Sequence, residues 1–220
     1  MGVRDLRSGK ELVRGPQMHV TPVTLEGDWV RLEPLGEQHV EDLAVAADED
    51  GIWTWMPIRL RSAGDVRAWM AAAHADQASG TALPFAIIER ATAKAVGSTR
   101  FMDIQPANRG LEIGWTWLAK PVRRTPVNTE CKYLLMRHAF EDQGAIRVQL
   151  KTNARNERSR TAILRIGAQF EGILRQHIIL PNGDYRDSAY YSVIDSEWPA
   201  VKARLERILA GEPSPVAVGE

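Results

Sequence analysis

The stretch that most restricts the fold is residues 152–172, TNARNERSRTAILRIGAQFEG. Asn156 has the side chain of a helix N-cap, whose oxygen accepts from an N–H of the following turn. Gly167 suits the left-handed residue that closes such a helix, and from Ala168 an extended pattern resumes. Upstream, residues 145–152 alternate as a strand does. The unit therefore reads strand, polar turn, short helix, strand. Over the helix, residues 156–166, Ser159, Ala162, Ile163 and Ile166 fall along one face. A hydroxyl thus sits at the polar end of a stripe that is otherwise buried.

The rest of the chain supplies the partners of this unit. Residues 29–35, WVRLEPL, alternate and predict a first strand, and residues 36–47 carry Val40, Leu43, Ala44 and Ala47 at helical spacing. Trp53-Thr54-Trp55-Met56-Pro57 then reads as a loop whose indoles either line an acceptor site or simply pack. Ser62-Ala63-Gly64-Asp65 fits a capping pattern ahead of a helix over residues 66–79. Residues 84–90, 95–104 and 111–118 predict three strands, the first two joined as a hairpin across residues 91–94. Pro181-Asn182-Gly183-Asp184 is a turn joining strands 170–180 and 185–194. A last helix runs from Ser196 to about Leu209, with Val201, Leu205 and Leu209 on one face. One strand, two helices and a three-strand meander argue for an α+β sheet rather than a doubly wound one. The expected organisation is a polar arm over residues 1–20, one domain over 21–210 and a loose tail over 211–220.

Bulk properties exclude several classes. Lysine plus arginine equals aspartate plus glutamate, at 28 each, which gives no electrostatic reason to bind nucleic acid. The single cysteine, Cys131, cannot form an internal disulfide and favours a reducing, cytoplasmic setting. No apolar run approaches the roughly 20 residues of a membrane helix, and the opening residues lack the apolar core of a signal peptide. The five histidines show no metal-ligand spacing, so no metal is expected.

Between the predicted strand 111–118 and the 152–172 unit lies a second informative segment, residues 120–130, KPVRRTPVNTE. The helix that follows has Val127, Cys131, Leu134, Leu135 and His138 on one core-facing stripe. Its start offers unpaired N–H groups and a partial positive charge, suited to a pyrophosphate. Thr125 and Pro126 make a good N-cap and first-turn pair; one donor is lost to proline, while Val127, Asn128 and Thr129 keep theirs. Arg123 and Arg124 bring two guanidinium groups alongside.

Asn153, Asn156 and Ser159, followed by Gly167-Ala168-Gln169-Phe170, resemble the N-x-x-N-x-x-S…G-F signature of the GNAT superfamily of acyl-CoA N-acyltransferases. The similarity spans residues 23–209, its specific part residues 111–172, and it is nearest the RimJ/RimL branch, which acetylates protein N-termini and small amines. It implies a mixed, mostly antiparallel central sheet flanked by helices and splayed between the fourth and fifth predicted strands, 111–118 and 145–152. The pantetheine arm of acetyl-CoA would lie in the splay, with main chain near residues 115–118 facing the thioester. It also implies cofactor contacts at Trp117, Leu118, Arg123, Arg124, Thr125, Val127, Asn128, Thr129, Asn153, Asn156 and Ser159. The family places R-x-x-G-x-G/A at the phosphates; this chain aligns by Arg123, Thr129 and Glu130 but has Arg124 and Pro126 where small residues belong.

Acyl transfer to an amine needs a neutral amine, a stabilised carbonyl oxygen and a proton for the leaving thiolate. Ser159 is the expected proton donor, with Tyr185, Tyr190 or Tyr191 as the alternative. Glu112 is the expected base, directly or through water, against the plainer reading of a solvent-facing strand carboxylate. His138 belongs to the core stripe, and His177 can face either side of its strand. Without a G-x-S-x-G or S-x-x-K nucleophile site, direct transfer is simpler than a covalent intermediate. The leading function is N-acetylation of a primary amine on a protein N-terminus or small molecule. The rival is a non-catalytic acyl-CoA sensor on the same fold, and a homodimer through residues 173–209 is a further expectation.

Overall fold

The alternating residues of the first predicted strand form β2 (Val30–Pro34), preceded by a two-residue β1 (Leu25–Glu26) that its brevity hid from the sequence pattern. The structure, a computed structural model, describes residues 18–212. Except for residues 18–20 and 211–212, the expected arm and tail lie outside the described residues. The helix expected over 36–47 begins as a 3-10 turn and becomes α1 (Val40–Ala47). The expected tryptophan loop instead starts with a helical turn, α2 (Asp50–Trp53), whose Trp53 is buried and donates its indole N–H to Ala47 O at 3.0 Å. Ser62 caps α3 (Ala63–Ala78), accepting from the Asp65 N–H at 3.1 Å.

β3 (Leu83–Glu89), β4 (Lys94–Gln105) and β5 (Gly110–Leu118) form the expected meander, and α4 (Pro126–Arg137) follows. β6 (Arg147–Asn153), α5 (Glu157–Arg165) and β7 (Gln169–Ile179) are the strand–helix–strand unit, and Gly167 holds the anticipated left-handed conformation at φ 101°. β8 (Tyr185–Ile194) and α6 (Trp198–Leu209) complete the chain. The eight strands form one sheet in the order β1-β2-β3-β4-β5-β6-β8-β7, antiparallel except for β5 with β6.

Alternation sends side chains to two separate cores. On one face, Phe85, Phe101, Ile113, Leu150 and Tyr191 pack with Cys131, Leu134 and Leu135 of α4 and with Leu205 of α6. On the other, Ala86, Ile88 and Trp117 pack with Leu43 of α1 and with Val66, Trp69 and Met70 of α3. His138 is buried in the first core, stacked on Phe101 and bonded to Asp142 at 2.7 Å, which makes it a packed histidine. Among the described residues no helix is long and apolar enough to cross a membrane.

Candidate active site

The parallel ladder between β5 and β6 has three rungs, Gly110–Arg147, Leu111–Val148 and Glu112–Gln149, and then ends. Each strand keeps its other partner beyond that point: β5 follows β4 as far as Leu118, and β6 follows β8 as far as Asn153. The sheet is therefore split between these two strands, as expected. One cause is a β-bulge in which Trp115 and Thr116 together oppose Thr99 of β4, because such an insertion bends the strand that carries it. Trp115 takes the left-handed conformation at φ 51°, which costs a non-glycine residue on the order of 1 kcal/mol. Three contacts hold it there. The hydroxyls of Thr99 and Thr116 bond at 2.8 Å, Lys132 of α4 donates to Thr116 Oγ1 at 2.6 Å, and the Arg100 guanidinium lies 4.9 Å over the Trp115 ring. Lys132 is buried, and desolvation lowers its pKa from 10.5 to about 8. An indole at positive φ and a lysine inside an amphipathic helix carry no local signal, so sequence reasoning passed over both.

The α4 N-terminus stands at the open end of the split. Thr125 caps it, donating to Val122 O at 2.7 Å and accepting loosely from the Val127 N–H at 3.4 Å. Pro126 supplies no donor, so the first-turn amides available to an anion come from its neighbours. The two arginines are placed differently. Arg123 bonds Leu118 O at 3.0 Å and pairs with Glu49 at 2.9 Å, bracing the segment between β5 and α4 against the start of α2. Arg124 turns the chain at φ 62°, and its exposed side chain pairs with no carboxylate among the described residues. Thr129 accepts from Arg165 at 2.9 Å, tying α4 to α5. The Glu130 carboxylate accepts from the amides of Asp28, Trp29 and Val30 at 2.8, 2.7 and 2.7 Å and so pins the β1–β2 turn to α4.

Across the split, Asn153 Oδ1 accepts from the Arg155 N–H at 2.9 Å, and Asn156 Oδ1 caps α5 by accepting from the Ser159 N–H at 3.1 Å. The two asparagines shape the turn that carries Ser159 beyond the end of β6, where its side chain is half-buried. Trp117 and Leu118 are buried on opposite faces of the sheet, which leaves their main chain to line the split. A widening gap with free strand edges and a helix start at its mouth fits the elongated, anionic shape of an acyl-CoA.

On the α1–α3 face of the sheet, Glu112 is 1% exposed. Lys151 Nζ lies 3.0 Å from its Oε2, and Gln149 Nε2 donates to the same oxygen at 2.9 Å. Tyr190 lies opposite Lys151 on β8 and shares a hydrogen bond of 3.2 Å with His177 Nε2. A register shift in β7 between Leu174 and Ile178, with Gln176 at φ 50°, is what turns His177 to this side. Burial, helped by the Lys151 and Arg186 charges, lowers the pKa of His177 from 6.5, and burial raises that of the Tyr190 phenol. At neutral pH the imidazole is therefore neutral and the phenol protonated. Of the other tyrosines, Tyr191 is buried on the α4–α5 face and accepts from Arg160 at 3.0 Å, while Tyr185 is exposed at the β7–β8 hairpin. Lys151, Gln149 and His177 join Glu112 only through strand register, which the sequence does not display.

Proteins of known class share this arrangement. Residues 30–169 match the profile described as an acetyltransferase (GNAT) domain. A crystal structure of a GCN5-related N-acetyltransferase from Brucella melitensis is 35% identical, with 93% of each chain covered and a TM-score of 0.83. The Bacillus subtilis protein named "Putative ribosomal N-acetyltransferase YdaF" is 33% identical over 106 residues, a match spanning 48% of this chain and 57% of that relative. Mycobacterium smegmatis RimJ, solved with CoA-disulfide, shares the fold at 20% identity and a TM-score of 0.74, with 87% of this chain and 96% of that chain covered. The profile match and the shared fold together place the split sheet in a known class, and the chain belongs to the GNAT family of acetyltransferases.

Proposed function

We propose that the protein moves the acetyl group of acetyl-CoA directly to the α-amine of a protein N-terminus, as a member of the RimJ/RimL-like branch. The observation that carries this reading is the β5–β6 ladder that ends at Glu112–Gln149, beside a bulge at Trp115 and below the start of α4. A protein acceptor is supported by the name of the Bacillus subtilis relative, a ribosomal N-acetyltransferase. Acetyl-CoA supplies an activated thioester. The residues of this chain hold it and handle protons.

The first-turn amides of α4 and the Arg124 guanidinium hold the phosphates, while Arg123 keeps the loop in shape through Glu49. The main chain of the bulge, turned by Trp115, directs an amide toward the carbonyl oxygen. Glu112 attracts the acceptor's ammonium, and the proton lost on neutralisation passes by way of water and the Tyr190 hydroxyl to neutral His177. As the amide bond forms and the carbon–sulfur bond breaks, Ser159 gives or steers a proton to the sulfur. For assembly, the open β7 edge with exposed Phe170, Ile173, Leu174 and Ile179 fits a second copy, because an antiparallel edge is complementary to itself.

Calorimetry with CoA and acetyl-CoA, followed by thiol-release assays on peptide and small-molecule amines, tests this reading. Micromolar binding with turnover of peptide N-termini is expected. Turnover of small amines alone moves the acceptor to that class. Binding without turnover favours the sensor, for which the proline at the phosphate helix is the specific argument, and no binding discards both.

A further inference from the structure

Arg100 is 4% exposed, and its single polar contact among the described residues is Asp76 Oδ2 at 3.5 Å. A charge-assisted bond is ordinarily about 2.7–2.9 Å, so this pairing is loose. The guanidinium is instead held between aromatic rings, 5.6 Å from Trp69 and 4.9 Å from Trp115. Its Nε is buried without an acceptor, and so are the indole nitrogens of Trp69 and Trp117, whose rings pack 6.2 Å apart. Three donors without acceptors therefore gather in one corner of the α1–α3 face. Burial of a cation without a close counter-charge is costly. Desolvation accordingly lowers the Arg100 pKa to about 10, with only Asp76 opposing it, and the group stays charged at neutral pH.

Its position gives that cost a purpose. Arg100 lies directly across from Gly114, and Met102 directly across from Glu112. Arg100 and Glu112 are thus diagonal neighbours on one face, a spacing of roughly 7 Å between their β-carbons. Gly114 puts no side chain of its own between them, and Met102 Sδ and Glu112 Oε1 occupy that place, 2.5 and 3.0 Å from where a β-carbon would stand. The ring over the guanidinium, Trp115, is only half-buried and belongs to the bulge, so it and the flexible Met102 side chain are what must shift to admit a ligand.

We propose that Arg100 is the receptor for a carboxylate on the acceptor, so that the amine docks at Glu112 and an acidic group a few bonds away docks at Arg100. This rests on the acetyltransferase reading above and narrows its acceptor to amines that carry a carboxylate. An acidic side chain near a peptide N-terminus and the α-carboxylate of a free amino acid present the same group. Asp76 holds the guanidinium in the absence of that carboxylate, and the two orphaned indole donors stand in the same corner as further polar contacts for it.

The test compares acceptors in pairs, with acetyl-CoA saturating. One pair is Ala-Asp-Phe-amide and Ala-Asn-Phe-amide; the other is free alanine and alaninamide. The wild-type protein is expected to prefer the acidic member of one pair by about tenfold or more in kcat/KM, carried mainly by KM. The pair that responds identifies the source of the carboxylate. Arg100→Gln brings that ratio close to one, Arg100→Lys keeps part of it, and Asp76→Asn, which leaves Arg100 intact, raises it. A ratio near one in both pairs while neutral amines are acetylated overturns the proposal and leaves the acetyltransferase reading standing. A ratio that survives Arg100→Gln also overturns it. Acetylation of no amine at all discards both.

Discussion

Lys132 offers the sharpest test of the bulge, because its ammonium is buried under β5 with a hydroxyl as its hydrogen-bond partner. Burial lowers its pKa from 10.5 to about 8. Below about pH 8 the folded and unfolded chains both carry the proton, and the folded state bears the full desolvation penalty. Between about 8 and 10.5 the unfolded chain binds more protons than the folded one, so this group makes stability rise with pH through that window. The gap corresponds to about 3 kcal/mol. Lys132→Met removes the charge and keeps most of the stem. The variant's unfolding free energy relative to wild type should therefore fall by about 3 kcal/mol between pH 7.5 and 10.5. Other titrations cancel in that difference. Urea unfolding followed by tryptophan emission measures it, and a difference flat to within about 0.5 kcal/mol across the window refutes the buried-ammonium account.

Glu130→Gln leaves amides of the β1–β2 turn without a charged acceptor and should cost about 2–4 kcal/mol in thermal unfolding; a loss below about 1 kcal/mol contradicts the pinning role. Ser159→Ala should lower kcat about 100-fold while calorimetric CoA affinity stays near wild type, and unchanged turnover removes Ser159 from proton transfer. Glu112→Gln should lower kcat/KM to a similar extent by weakening the hold on the acceptor's ammonium; an unchanged kcat/KM removes Glu112 from that role. Because the pKa of His177 is depressed from 6.5, its neutral form persists as pH falls toward and below that value. The acid limb of kcat/KM should therefore lie below 6.5 and vanish in His177→Gln, whereas a limb that stays in the variant excludes this imidazole.

The sequence alone determined the features made by atoms a few residues apart. Ser62 and Asn156 cap their helices, Gly167 turns left-handed, Thr125 and Pro126 open α4, and residues 181–184 turn the last hairpin. In each case the side-chain type and its immediate neighbours suffice, because the partner is at most about four residues away. The tertiary structure decided everything that depends on register across distant strands. It selected the rung at which β5 and β6 part, the bulge that turns Trp115 and the shift that brings His177 to Tyr190. It also decided that Arg123 answers Glu49, that Glu130 answers the turn at residues 28–30, and that Arg100 faces aromatic rings. A one-residue slip moves a strand side chain to the opposite face, so residue types that announce a strand leave undecided which charges meet on it.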